Sequence, residues 1–106
     1  MIVTIEVGVP VGLRYPEDLK SFKVVINPAL RAGDAYLAAL SGVGESASDN
    51  EVWVFQPWVI QASGMEHSAG WRADFGKMLE FAKKHGWVRQ SDGAIRAHVE
   101  WVSEAV

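Results

Sequence analysis

The strongest structural signals in this chain come from residues 69–85, AGWRADFGKMLEFAKKH, and from residues 86–101, GWVRQSDGAIRAHVEW. Starting at Trp71, the first segment has apolar side chains at i, i+4, i+7, i+8 and i+11. This spacing is typical of an amphipathic helix with one apolar stripe. Ser68 is the predicted N-cap of this helix, and Gly86 is predicted to end it in the left-handed conformation.

The second segment is typical of a hairpin, because Asp92-Gly93 is a strong turn signal between two extended stretches. A two-residue loop, or a four-residue loop at 91–94, defines a register that pairs Gln90 with Ile95, Val88 with Ala97, and Trp87 with His98. The register also places Arg89 opposite Arg96, a like-charge pair that a nearby carboxylate would have to relieve.

The two faces of this hairpin differ in character, because successive strand residues point to opposite sides. One face is apolar and predicted to be buried, and it carries Val88, Ile95, Ala97, Val99 and Trp101. The other face is polar and carries Arg89, Arg96, His98 and Glu100.

The rest of the chain contains four further predicted elements: strands at 2–9, 21–26 and 51–60, and a helix within 28–41. Pro57 lies inside the third of these strands and indicates an edge position or a bulge, since proline cannot donate to a ladder. For residues 21–26, a helix ending before Asn27 is the open alternative. Residues 42–50, GVGESASDN, have no periodicity and are predicted to form a surface loop.

These elements predict an α+β fold. We expect a two-layer sandwich, with a mixed or antiparallel sheet of about four to five strands, two helices on one face and a C-terminal β-hairpin. The length of 106 residues is that of a single domain.

Composition narrows the class of protein. The chain has no cysteine, which excludes disulfides and thiolate chemistry. Its formal net charge of −3 argues against a nucleic-acid or anionic-membrane partner. The first residues lack the basic and apolar regions of a signal peptide, and no apolar run approaches the ~20 residues of a membrane span. We therefore expect a cytoplasmic protein.

The polar face of the last strand is the first candidate site. The sequence has no phosphate-binding, dinucleotide, nucleophile-elbow or zinc-protease motif. His98 is the predicted acid or base, Arg96 is predicted to stabilise an oxyanion, and Glu100 is predicted to orient the imidazole. The alternative is an ordinary solvated strand face, because charged residues are mostly exposed.

A second candidate lies in the loop before the long helix. Glu66 and His67 lie close in sequence to Asp74, and His67 is a candidate ligand-binding residue. Together with His98, Glu66 and His67 resemble a metal-ligand set, but their spacing does not require one. His67 also fits as the lead-in to the helix cap. We predict neither a metal nor a cofactor.

The third candidate is the excess of tryptophan, which accounts for five of the eleven aromatic residues. Trp53, Trp58 and Trp87 are the candidate ligand-binding tryptophans. Tryptophan suits boundaries where one side is apolar and the indole N–H needs a partner, and it is common in interfaces and pockets. A thin core filled by large side chains is the alternative, and the sequence leaves both open.

Three functions follow from these candidates. The first is a small homo-oligomeric domain that binds a small apolar or aromatic ligand, or assembles through its tryptophan-bearing sheet face. The second is a small cofactor-independent acid–base enzyme, such as an isomerase, cyclase or oxygenase. The third is a protein-binding adaptor or inhibitor that uses Trp53, Trp87 and the hairpin.

Two resemblances concern architecture only and involve no motif. In size and in its alternation of strands and helices, the chain is similar to the dimeric α+β barrel enzymes, which is what suggests the second function. The helix, the Gly86-Trp87 step and the hairpin superficially resemble the end of a winged helix, with basic residues on both elements. That family has three helices before its wing, whereas mainly strands are predicted before the hairpin of this chain. No nucleic-acid partner is therefore predicted.

Overall fold

The computed structural model describes residues 1–102. It contains six strands: β1 Ile2–Ile5, β2 Gly12–Arg14, β3 Lys23–Ile26, β4 Gly44–Ser48, β5 Glu51–Val54 and β6 Ile95–Trp101. A 3₁₀ segment, Pro28–Asp34, precedes three α-helices: α1 Ala35–Ala39, α2 Gln56–Ser63 and α3 Ala69–Lys84. The predicted mixed α+β content is confirmed. The predicted counts of four to five strands and two helices are too low.

All six strands form one sheet, in the order β2-β1-β3-β6-β5-β4. The central strands β1, β3 and β6 run parallel, whereas β2, β5 and β4 pair antiparallel with their neighbours. The sheet is therefore mixed, and the last strand of the chain lies inside it between β3 and β5. This central position is what brings the polar residues of β6 next to those of two other strands.

The core lies against one face of this sheet. The buried strand residues on that face are Val3, Ile5, Val24, Ile26, Val52, Val54, Ile95, Ala97 and Val99. The helices contribute Tyr36, Leu40, Val59, Trp71 and Phe75 to the same cluster. The opposite face, here called the polar face, carries Lys23, Glu51, Trp53, Arg96, His98 and Glu100.

The predicted strand at 51–60 is wrong beyond Val54. Phe55 is still extended, but Pro57 lies in the first turn of α2. Proline is favoured there because its missing N–H would have no partner in a first helical turn. Val59 and Trp58 therefore belong to a helix, and Val59 is fully buried. The β-branched, apolar composition of this stretch resembles a strand, and the proline marks a helix start rather than an edge or a bulge.

The predicted loop at 42–50 contains an edge strand. Strand β4 pairs antiparallel with β5, with an irregularity between Ser46 and Ser48. Its residues after Gly44 are exposed, so no alternation of apolar residues marks it in the sequence. A Cβ on Gly44 would clash with the Trp53 carbonyl oxygen, so the close approach of the two strands requires glycine here.

The first half of the chain departs from the predicted bounds in two further places. The strand predicted at 2–9 ends at Ile5. The helix predicted within 28–41 is divided, because Gly33 and Asp34 have positive φ angles of 61° and 56°. The open choice for residues 21–26 is settled in favour of a strand, since Lys23–Ile26 pairs with β1 on one side and β6 on the other.

Helix α3 agrees with its prediction at both ends. The Ser68 hydroxyl accepts from the Trp71 backbone N–H at 3.2 Å. At the other end, Gly86 has a φ of 74°, and the Trp87 N–H donates to the Ala82 carbonyl at 2.9 Å. This capping turns the chain so that Trp87 returns to the last turn of the helix.

The predicted C-terminal hairpin is reduced to a single bridge, Val88 with Ile95. The turn lies one residue earlier than the predicted four-residue loop: the Arg89 N–H donates to the Ala94 carbonyl, which encloses residues 90–93, and the Asp92 carboxylate accepts from the Ala94 N–H. The pairing differs from the predicted register by two residues. Because the side-chain period of a strand is two, the shift keeps the same residues on each face.

Within residues 1–102, none of the helices has the length and apolar character that crossing a membrane requires.

Candidate functional site

The predicted row of Arg96, His98 and Glu100 lies on the polar face, on alternate residues of β6. His98 is exposed, whereas its neighbours Ala97 and Val99 are buried in the core. The imidazole is therefore on the solvent side of the sheet, as the sequence predicts.

Two ion pairs flank this imidazole. His98 lies opposite Lys23 of β3 on one side and Glu51 of β5 on the other. Lys23 donates a hydrogen bond to Glu100 at 3.2 Å, and Arg96 forms an ion pair with Glu51, whose carboxylate lies 3.1 Å from Nε. Within the described part of the chain, the His98 side chain has no hydrogen bond or ion pair. Glu100 is thus held by Lys23 instead of by the imidazole, and the catalytic roles of the row stay predictions.

A shallow pocket opens beside this row. It has a volume of about 270 Å³ and is lined by Phe22, Glu51, Trp87, Arg96 and His98. Phe22 directly precedes β3, and Trp87 follows α3, so the parallel pairing of β3 with β6 brings these distant residues together.

A second hollow adjoins the first and shares Phe22, Trp87 and Arg96 with it. It has a volume of about 110 Å³ and reaches α3. Its further lining residues are Leu19, Lys20, Ser21, Met78, Phe81, Ala82 and Ile95. We call the two hollows together the Trp87 groove. Trp87 and His98, which the predicted register places opposite each other, both line it.

An exposed aromatic cluster forms the rim of the Trp87 groove at the end of α3. The His85 ring stacks on Trp87 with centroids 4.6 Å apart, and Phe81 lies 4.4 Å from His85. His85 Nδ1 lies 3.0 Å from the Phe81 carbonyl oxygen, which holds the imidazole in this position. Phe81 is 57% exposed and Trp87 is 37% exposed. A sizeable aromatic surface therefore faces solvent here.

Sequence reasoning missed Phe22 and Phe81 as parts of this site. Phe81 had a signal, because it does not belong to the apolar stripe that starts at Trp71. An aromatic residue off the stripe of an amphipathic helix is expected at the surface. Phe22 had no such signal, since its position next to Trp87 depends on strand order.

Trp53 lies on the polar face but outside the Trp87 groove. It is opposite Arg96 in the register, and the Arg89 guanidinium lies 5.4 Å from the centre of its ring. Arg89 also bonds to Asp92 at 2.6 Å and to Glu45 at 3.1 Å. The hydrogen bonds to Asp92 and Glu45 favour the charged guanidinium, so the pKa of Arg89 lies above its ordinary value. The predicted like-charge contact with Arg96 is avoided because the register is shifted.

The other two candidate ligand-binding residues lie elsewhere. Trp58 is on α2, where it is partly buried against the core. The His67 side chain is 95% exposed, and its Nε2 lies 3.7 Å from a carboxylate oxygen of Glu66. The structure therefore does not bring these two together with Trp87. Among residues 1–102, no group of three or more histidine and acidic side chains is arranged to hold a metal ion, so Glu66, His67 and His98 do not converge.

No family model, curated protein or solved structure matches this chain.

Proposed function

We propose that this protein is a small ligand-binding domain that holds an apolar or aromatic molecule in the Trp87 groove. The observation that supports it best is the exposed aromatic surface of Trp87 and Phe81 beside two adjoining hollows. Apolar surface gains roughly 25 cal/mol for each Å² that is removed from water, so a bound ring would cover what the chain leaves open.

The dimensions of the groove suit a small ligand. Pockets for drug-sized molecules are typically about 300–1,000 Å³, and the larger hollow, at about 270 Å³, lies just below that range. We therefore expect a ligand of one or two fused rings. Its ring would stack on the free side of Trp87, because aromatic pairs prefer offset or edge-on contact.

The test is an NMR titration that follows the indole N–H resonances of ¹⁵N-labelled tryptophan side chains. Addition of indole or 2-naphthoate is expected to shift the resonance of Trp87, which a Trp87→Phe variant identifies. The indoles of Trp71 and Trp101 serve as internal controls, because they donate to the carbonyls of Pro16 and Asp49 at 2.8 Å. The absence of any shift at Trp87, or an equal shift at all five indoles, would contradict the proposal.

A matched variant separates the groove from general surface hydrophobicity. Trp87→Ser is expected to weaken the binding of both compounds. Leu37→Ser removes exposed apolar surface from α1, outside the groove, and is expected to leave binding unchanged. Equal effects of the two substitutions would indicate non-specific association.

Self-association through the polar face is a second candidate. Charges on this face occur as pairs of opposite sign: Arg96 with Glu51, Lys23 with Glu100, and Arg89 with Glu45. A face with balanced charges and a half-buried tryptophan can meet a second copy without strong repulsion. Light scattering over a wide range of concentrations tests this, and Trp53→Ser is expected to favour the monomer. A monomer at every concentration would contradict it.

The acid–base enzyme and the protein-binding adaptor remain alternative hypotheses. The enzyme would depend on the imidazole of His98 beside the groove, and the adaptor on the exposed Trp87.

A further inference from the structure

We infer that the ligand of the Trp87 groove is an anion, an aromatic carboxylate whose charge meets Lys20 and Arg96 while its ring lies against Trp87 and Phe22. This inference rests on the proposed function and names the chemical class of its ligand. It follows from the distribution of charge around the groove.

The lining of the smaller hollow contains two charged residues, Lys20 and Arg96, and both are cationic. The chain as a whole has a net charge of −3, so this local excess of positive charge runs against the composition. A concave surface lined by one sign of charge attracts ligands of the opposite sign.

Lys20 is available for a ligand. Its ammonium group has no ion pair with any residue of the described chain, and the side chain is exposed. The nearest acidic residue in sequence, Asp18, accepts instead from the Lys20 backbone N–H at 3.2 Å and from the Ser21 hydroxyl at 3.4 Å. The carboxylate of Asp18 is thus engaged with the local turn.

Arg96 retains unused donors despite its ion pair. A guanidinium group has five N–H donors in a planar fork. Glu51 contacts its Nε at 3.1 Å, and neither terminal nitrogen has a hydrogen bond within residues 1–102. These terminal donors can bind a carboxylate in the bidentate manner that arginine favours. Glu51 is also the one acidic residue lining the larger hollow, and Arg96 already neutralises it.

The apolar part of the ligand would then lie against Phe22 and Trp87. Phe22, Trp87 and Arg96 line both hollows, so ring and charge sites are contiguous. A molecule with a flat ring and an adjoining carboxylate matches this arrangement, whereas an aliphatic alcohol or an amine would leave Lys20 without a counter-charge and the remaining donors of Arg96 without an anionic acceptor.

The test compares three compounds with one ring system and different charge: 2-naphthoate, 2-naphthylmethanol and 2-naphthylmethylammonium. Dissociation constants come from the Trp87 indole resonance at low salt. We expect 2-naphthoate to bind about five- to tenfold more tightly than the alcohol, and the ammonium compound to bind most weakly. The preference for the anion is expected to shrink at high salt, where the Debye length falls to about 3 Å at 1 M.

Two variants assign the charge preference to its residues. Lys20→Gln and Arg96→Gln are each expected to weaken 2-naphthoate binding about threefold or more, with little effect on the alcohol. Arg72→Gln makes the same change in net charge on the first turn of α3, outside the groove lining, and is expected to have no effect on either compound. Lys20 is exposed, so its variant is informative even if Arg96→Gln perturbs the sheet.

The outcomes separate this inference from the proposed function. If 2-naphthoate and the alcohol bind equally and Lys20→Gln changes neither, the ligand is not an anion, although the groove still binds rings. If none of the three compounds shifts the Trp87 resonance, the proposed function fails and the inference fails with it.

Discussion

Arg96 lies opposite Trp87 at the start of β6, where its backbone N–H donates to the Trp87 carbonyl at 2.7 Å. On its other side, Arg96 pairs with Trp53 of β5. Arg96 therefore has a tryptophan neighbour on either side of it. This register places the cationic and aromatic parts of the proposed site next to each other, and it depends on the turn that returns Trp87 to the sheet.

The first prediction concerns that turn. Gly86→Ala is expected to lower the free energy of unfolding by about 1–2 kcal/mol, because a non-glycine residue in the left-handed region is strained. Gly86 has a φ of 74°, and an added Cβ would meet no atom within 4 Å, so the effect is one of backbone conformation alone. Urea denaturation measures the loss, and the affinity for 2-naphthoate is expected to fall with it.

The control for Gly86 is a glycine in the middle of the same helix. Gly76 in α3 also has no atom within 4 Å of an added Cβ, and its φ is not positive. Gly76→Ala is expected to raise the free energy of unfolding by up to about 1 kcal/mol, since alanine is the better helix former. A gain in stability from both substitutions would show that Gly86 is not in the left-handed conformation.

The second prediction concerns pH. The Arg89 guanidinium bonded to Asp92 lowers the pKa of that carboxyl from 3.8 to about 2, and the Ala94 backbone N–H adds to the effect. A carboxyl whose pKa is lower in the folded state stabilises the fold above the unfolded-state pKa and loses this effect as the pH falls. Asp92→Asn is therefore expected to be less stable than the native protein at neutral pH.

The difference is expected to disappear as the pH falls from 3.8 towards about 2. Thermal unfolding midpoints of the two proteins across this range measure it. Asp74→Asn, an exposed substitution on α3, serves as the control and is expected to show no such pH dependence. A stability difference for Asp92→Asn that stays constant with pH would rule out ionisation of this carboxyl as its cause.

The elements that the sequence predicts well are those set by local chemistry. Helix α3 has its cap at Ser68, its apolar stripe and its terminal Gly86 within one continuous stretch, and the structure agrees at both ends. The polar row of β6 is also correct, although its predicted partner strand is not. A register shift of two residues preserves the face of every side chain, so the error in pairing did not change the row.

The elements that the sequence predicts poorly depend on tertiary context. Pro57 in an apolar, β-branched stretch fits an edge strand as well as a first helical turn, and burial of Val59 from α2 decides between them. Strand β4 has no apolar alternation because it is an exposed edge. The Trp87 groove combines Phe22, Phe81 and Trp87, and no local pattern shows that β3 and β6 are parallel neighbours.

The third prediction tests the pairing of β4 with β5. Gly44→Ala is expected to lower the free energy of unfolding by about 1–3 kcal/mol, because its Cβ would overlap the backbone of Trp53. Gly70→Ala, with no atom within 4 Å of an added Cβ, is the control and is expected to change stability by less than about 1 kcal/mol. Similar results for the two alanines would mean that residues 44–48 do not pair closely with β5.

The fourth prediction separates the core from the groove by comparing two phenylalanines of α3. Phe75 is buried and stacks on Trp71 with ring centroids 4.9 Å apart, whereas more than half of Phe81 is exposed. Phe75→Ala is expected to lower the free energy of unfolding by about 3–5 kcal/mol through the cavity that it leaves. Phe81→Ala is expected to lower it by less than about 1 kcal/mol, as surface substitutions do.

For ligand binding, the effects of these two substitutions are expected to rank in the opposite order. Phe81 lines the Trp87 groove, so Phe81→Ala is expected to weaken the binding of 2-naphthoate several-fold while the protein stays folded. Phe75 does not line it, so Phe75→Ala, measured where it is still folded, is expected to retain most of the affinity. If Phe81→Ala instead binds 2-naphthoate as the native protein does, the aromatic rim plays no part in holding the ring, and the ligand must sit nearer to His98.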